Sequence, residues 1–294
     1  MSQEFNFDSL SPQEMAEKAV VVGVRKAALD FLPLLGLSIL AGAFIALGAM
    51  FATTVYAGAL PALPYGVARL LMGLTFCLGL ILVVVAGAEL FTGNNLIVIA
   101  WANRKVSTMG LLRNWVVVYL GNFIGALGTA VLVFLAKQYT GGAGAVGETA
   151  LKIAVSKVGM SFPQAIALGI LCNGLVCLAI WLTYSARSTT DKIMAIIFPI
   201  TAFVAAGFEH SIANMYFVPY ALFIKAFDPA FAAAHQIDLT TLTWGSFFLK
   251  NLLPVTIGNI IGGAGLVAVV YWFIYLGKAK AAAVQEVKPV AKKA

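Results

Sequence analysis

An apolar stretch from residue 193 to residue 224 carries Glu209, His210, Ser211 and Asn214 at its centre. No other ionisable side chain lies in these 32 residues except Tyr216 and Tyr220. A bilayer core takes about 20 helical residues to cross. The stretch is therefore too long for one straight span and too short for two spans with a turn. A membrane helix broken in the middle fits both the length and the polar cluster. Irregular backbone at that depth survives only where protein buries it or where it lines a cavity. An ionisable residue there is a functional-site candidate. Composition agrees with a membrane setting. Only 11% of residues are charged, against roughly 25% in soluble domains, and the mean hydropathy is +0.95.

The same pattern occurs earlier in the chain. Ala86-Gly87-Ala88-Glu89 followed by Asn94 matches Ala206-Gly207-Phe208-Glu209 followed by Asn214. The host run, 66–103, is again too long for one span, and its only charges are Arg69 and Glu89. A second pair follows each break: Asn114, Gly121, Asn122, Ile124, Gly125 and Gly128 recur at the same spacing as Asn251, Gly258, Asn259, Ile261, Gly262 and Gly265. Two independent matches in the same order define an internal repeat. The glycine pairs are of the small-x3-small kind that lets helix backbones touch, here within one chain. Asn122 and Asn259 read as structural hydrogen-bonding residues between helices.

Six spans follow, at 31–56, 67–102, 115–136, 163–184, 193–224 and 252–276, the second and fifth broken. The fold class expected is an all-α membrane protein built from two three-helix repeats, at about 31–137 and 160–277. An odd number of spans per repeat makes the second copy enter from the opposite face, so the repeats are inverted and the broken helices meet near the midplane. The half-helix ends offer free N–H and C=O groups there.

Residues 1–30 form an arm, carrying Phe5 and Phe7, and an amphipathic helix opened by the capping box of Ser11, Pro12 and Glu14. That helix fits either a membrane surface or a berth under neighbouring loops. The tail, 278–294, is Lys-rich. Thirteen of the 19 lysines and arginines fall on the side of the termini and six on the other, so both termini are expected in the cytoplasm. The polar, acidic start of the chain does not read as a cleavable signal peptide.

Several classes are excluded by the same reading. The net charge of +7 sits in loops and tail, without the basic clusters and exposed aromatics of a nucleic-acid binder. Cys77, Cys172 and Cys177 fall inside apolar spans, odd in number and without metal-ligand spacing, so no disulfide, metal or other cofactor is expected. His210 and Ser211 are adjacent on a helix and do not face one another as a nucleophile and base would, which argues against an enzyme.

These residues resemble the formate/nitrite transporter family, most closely its bacterial formate channels. The resemblance runs through Glu89-Leu90-Phe91-Thr92, Asn173, Ser185-Ala186-Arg187-Ser188, the string from Gly207 to Met215 and the string from Pro254 to Gly263. It implies an aquaporin-like protomer, a homopentamer in the bacterial cytoplasmic (inner) membrane and one anion pore per protomer. Carried over by position, Thr92 and His210 face the pore centre, with Asn173 beside the histidine. Leu80, Leu90, Phe91 and Val176 form the cytoplasmic-side constriction, and Phe76 and Phe203 the periplasmic one. Lys157 is the vestibule lysine that attracts anions. Glu89, Glu209, Asn94 and Asn214 read as structural groups at the breaks, the glutamates accepting free N–H groups and pairing with a cation. The chain departs from a formate channel of the family at Gly93-Asn94-Asn95, which implies different gating of that loop. The activity implied is passage of small monovalent anions, formate first, coupled to a proton through His210. Nitrite and hydrosulfide remain open within the family. An aquaporin-type neutral-solute pore is the other alternative, though paired Asn-Pro-Ala motifs are absent.

Overall fold

Serine and glycine positions set out the helices. The structure, a computed structural model, describes residues 8–277. The arm with Phe5 and Phe7 and the tail from residue 278 lie outside the described residues. Helix α1 (Pro12–Ala27) opens on its capping box, the Glu14 N–H donating to Ser11 Oγ at 3.4 Å and the Ser11 N–H to Glu14 Oε2 at 2.7 Å. There follow α2 (Phe31–Tyr56), α3 (Tyr65–Gly87), α4 (Phe91–Ala102), α5 (Thr108–Leu135), α6 (Ala145–Val158), α7 (Phe162–Ser185), α8 (Thr189–Ala205), α9 (Ser211–Phe227) and α10 (Trp244–Leu276). The hydroxyls of Ser107, Ser161 and Ser188 cap α5, α7 and α8, each satisfying one orphan N–H of a helix start. The described residues hold no β-strand.

Helices α2, α3, α5, α7 and α10 are each long and apolar enough to cross a bilayer. The remaining expected span, 193–224, is two helices of 17 residues each, α8 and α9, meeting at a break. Helices α3 and α4 make the other broken pair. The irregular backbone is shorter than the motifs suggest. It covers 88–90 and 206–210, because Phe91 and Ser211 already begin helices. Gly87 (φ +86°) and Gly207 (φ +77°) turn the chain out of α3 and α8, a conformation glycine adopts without a Cβ penalty.

Glycines set the packing. An added Cβ at Gly125 of α5 would strike the backbone of Ile39 on α2, and one at Gly262 of α10 the backbone of Ile170 on α7. The two helix pairs thus meet backbone to backbone in equivalent places, within one chain as expected. Helix α1 buries Met15, Ala16 and Ala19 in a cluster with Leu96, Ile97, Ile99 and Leu111, and its Gly23 lies against Ile97 and Ala100, so it docks onto α4 and α5 while Val21 and Val24 stay exposed. Helix α9 is buried on all sides from Ser211 to Leu222, as an interior helix with a predominantly apolar surface should be. Leu32, Val116, Leu132, Phe198 and Phe273 form part of an apolar outer surface, the face a bilayer or a sister subunit covers.

Candidate functional site

At each break, a glutamate must leave water with a full charge. The structure compensates both in the same way. Lys26 Nζ of α1 donates to Glu89 Oε1 at 2.7 Å, and Lys157 Nζ of α6 donates to Glu209 Oε1 at 2.8 Å. Asn94 Nδ2 donates to Glu89 Oε2 at 2.7 Å and to Asn114 Oδ1 at 2.9 Å. Asn214 Nδ2 donates to Glu209 Oε2 at 2.7 Å and to Asn251 Oδ1 at 2.8 Å. Asn114 Nδ2 then returns to the Lys26 carbonyl at 3.1 Å, and Asn251 Nδ2 to the Lys157 carbonyl at 3.0 Å. Buried charges persist only when paired and hydrogen-bonded, and each glutamate meets both conditions.

The backbone of each break is held by one asparagine. Asn122 Nδ2 donates to the carbonyls of Ser38 and Glu89, while its Oδ1 accepts from the Phe91 N–H at 2.9 Å. Asn259 does the same for Gly169, Glu209 and the Ser211 N–H. The Glu89 N–H reaches the Leu37 carbonyl at 3.2 Å and the Glu209 N–H the Leu168 carbonyl at 3.3 Å. A constant offset of 131 residues carries Lys26 to Lys157, Leu37 to Leu168 and Ser38 to Gly169. The correspondence therefore reaches beyond the expected repeat limits and takes in α1 and α6. At the same offset, Gly42 meets Asn173. Where the first repeat brings Gly42 against the Asn122 backbone, the second has Asn173 Nδ2 donating to the Asn259 carbonyl at 2.7 Å.

The two repeats diverge at the centre. His210 Nε2 lies 3.0 Å from Thr92 Oγ1. His210 is also the N-cap of α9: its Nδ1 accepts from the Ala213 N–H at 3.1 Å. An acceptor nitrogen is unprotonated, so the neutral ring carries its proton on Nε2 and presents it to Thr92. In the aligned motifs the position equivalent to His210 is Leu90, and that equivalent to Thr92 is Ile212; the polar pair joins non-equivalent positions of the two copies of the motif. Both side chains are buried, as is Asn173. Asn173 contacts the threonine side of this pair, 3.3 Å from the Thr92 carbonyl, and the Cys177 thiol donates to the same oxygen. The α4 and α9 N-termini both end at this point, giving a region of positive partial charge without a cation.

Two vestibules lead toward the pair. The one on the α6 side has a volume of about 460 Å³ and is lined by Phe76, Phe203, Lys157, Glu209 and His210. Phe203 stacks on the His210 ring with centroids 5.9 Å apart and meets Phe76 edge to face at 5.7 Å. The other, about 370 Å³, is lined by Lys26, Glu89, Leu90 and Asn94. Leu80, Phe91 and Val176 are buried but line neither vestibule; Phe91 turns away to pack edge-on against Trp115 and Tyr119. The three cysteines are buried free thiols.

Lys26, Asn114 and Asn251 belong to the site, though the motifs do not assign them there. The signal for Lys26 is its spacing from Leu37, which Lys157 repeats ahead of Leu168. Arg69 also lines the larger vestibule, where its guanidinium donates to the carbonyls of Val204 and Ala205, at 3.1 Å to the latter, and lies over the Tyr56 ring.

Two broken helices, a compensated glutamate at each and the Thr92–His210 contact between two vestibules define a polytopic membrane protein with a solute path through the protomer. The family model described as formate/nitrite transporter matches residues 13–273, and the chain belongs to that family. It is similar to formate channel FocA of Escherichia coli K12, at 44% identity over 280 residues, 94% of this chain and 98% of that one. It is also similar to formate channel FocA of Haemophilus influenzae, at 40% identity over 268 residues, 90% of this chain and 94% of the relative. A solved structure described as a pentameric formate channel with formate bound matches at TM-score 0.79 and 46% identity, covering 84% of this chain and 98% of that chain.

Proposed function

We propose that the protein is a channel for small monovalent anions, formate first, working as a homopentamer with one pathway per protomer in a bacterial cytoplasmic membrane, both termini inside. The observation that carries this reading is the Thr92–His210 contact between the two vestibules, at the meeting of two half-helix N-termini. A partly dehydrated anion there meets the Nε2–H, the threonine hydroxyl and two positive helix ends, which replace part of its lost hydration. The formate-channel relatives and the pentameric neighbour support both the substrate and the assembly.

The histidine cap adds a condition to proton coupling. With Ala213 N–H on Nδ1, the neutral ring donates a hydrogen bond from Nε2 but keeps its proton. Full transfer to formate, giving formic acid, requires a second proton at Nδ1 and release of the cap. The ring is then left neutral with its proton on Nδ1. Coupled transport is therefore tied to a movement of the α9 N-terminus, and downhill flux of the anion is not. Liposome flux compared for formate, nitrite, hydrosulfide and glycerol tests the reading. Formate flux is expected, with nitrite or hydrosulfide dominance reassigning the anion. Glycerol flux in the absence of anion flux would return the neutral-solute pore.

A further inference from the structure

The lysine at the mouth of the path is not the free charge there. In the larger vestibule, Lys157 is bound to Glu209 at 2.8 Å. Lys152 is bound to Glu148 at 2.5 Å. Each pair is a short dipole whose field falls quickly with distance. The third cation lining this cavity is Arg69, and its partners are neutral: the carbonyls of Val204 and Ala205, the Met72 sulfur and the Tyr56 ring. The carbonyls belong to the C-terminal end of α8, so they orient the guanidinium and favour its charge without neutralising it. A guanidinium has five N–H donors, and the protein engages three here. The smaller vestibule repeats the arrangement: Lys26 is paired with Glu89, while Arg25 lines the cavity and has no carboxylate partner among the described residues.

We propose that Arg69 is the anion-capture site of the larger vestibule, holding a small carboxylate or oxyanion through its two remaining N–H donors before it enters past Phe76 and Phe203. This rests on the reading that anions use this path. Arg69 also fixes the second break, so charge and anchoring must be separated.

The test is initial formate flux into liposomes at low and high salt, for wild type, Arg69→Gln, Arg69→Lys and Lys157→Gln, with pentamer mass checked for each. Screening shortens from about 30 Å at 0.01 M to about 3 Å at 1 M. Arg69→Gln should lose about tenfold at low salt, the lower end of what a focused charge contributes in a cleft, and approach wild type at high salt. Arg69→Lys should keep most of the low-salt flux. Lys157→Gln should lose flux equally at both salts. A salt profile of Arg69→Gln parallel to wild type would overturn the proposal, as would equal loss in Arg69→Gln and Arg69→Lys at every salt, which would make the residue an anchor only. Wild-type liposomes carrying no anion would instead overturn the channel reading itself.

Discussion

His210 Nε2 and the Thr92 hydroxyl lie 3.0 Å apart with both side chains buried, joining the ends of two half-helices that come from opposite repeats. Because Nδ1 is occupied by the Ala213 N–H, the threonine oxygen is the acceptor. Thr92→Val keeps the shape and removes that acceptor. It also removes the hydroxyl that donates to the passing anion, a hydrogen bond to a charged group worth about 1.5–3 kcal/mol, and roughly 1.4 kcal/mol is tenfold in an equilibrium. Formate flux in liposomes should fall about tenfold with the pentamer intact. Wild-type flux would show that the hydroxyl plays no part in passage.

The N-cap role of His210 separates its replacements. Asparagine is among the best N-cap residues, so His210→Asn should keep the α9 start, the fold and the pentamer. It cannot carry the second proton, so proton-driven formate uptake should fall more than downhill export. His210→Phe removes the cap and the polar contact and adds bulk beside Phe203, whose ring already lies 5.9 Å from the imidazole; it should close the path. Flux at two pH values in both directions distinguishes these cases. Unchanged uptake in His210→Asn would reduce the histidine to scaffold.

Lys157 and Glu209 should behave as a unit. Their side chains are 13% and 6% exposed, and removing one partner of a buried pair costs about 3–5 kcal/mol because the other charge is stranded. Lys157→Gln should therefore lower the melting temperature of the detergent-solubilised protein. Lys157→Gln combined with Glu209→Gln should recover much of that loss, and the same cycle at Lys26 and Glu89 should give the same sign. Additive effects of the two single substitutions would mean that the pair is not coupled.

The breaks are legible in sequence because a glutamate inside an apolar run demands irregular backbone and a partner, and because the demand occurs twice at matched spacing. Asn122 and Asn259 are legible as structural for the same reason. The partners are harder to find. Lys26 stands 63 residues from Glu89, on a helix whose outer face reads as an ordinary amphipathic surface. Arg69 binds backbone carbonyls, which have no residue identity to search for. The lengths of the breaks were also hidden. Asn122 and Asn259 accept the first N–H of α4 and α9, which lets each helix begin immediately after Leu90 and His210. Leu80, Phe76 and Val176 are indistinguishable from core residues by pattern, and only the family resemblance singles them out.

Glycine substitutions test the repeat at the level of packing. An added Cβ at Gly125 or Gly262 would collide with the backbone of Ile39 or Ile170, whereas at Gly128 and Gly265 it would meet nothing within 4 Å in this chain. All four are glycines inside helices, where replacement by alanine otherwise gains about 0.5–1 kcal/mol. Gly125→Ala and Gly262→Ala should each force the helices apart, lowering the melting temperature and the yield of folded protein. Gly128→Ala and Gly265→Ala should fold with unchanged or slightly raised stability. The two members of each pair should respond alike, since each pair holds an equivalent position in the repeats. Tolerance of alanine at Gly125 would refute the backbone contact between α2 and α5. Loss of the pentamer, with the protomer still folded, in Gly128→Ala or Gly265→Ala would instead locate a sister subunit against that face.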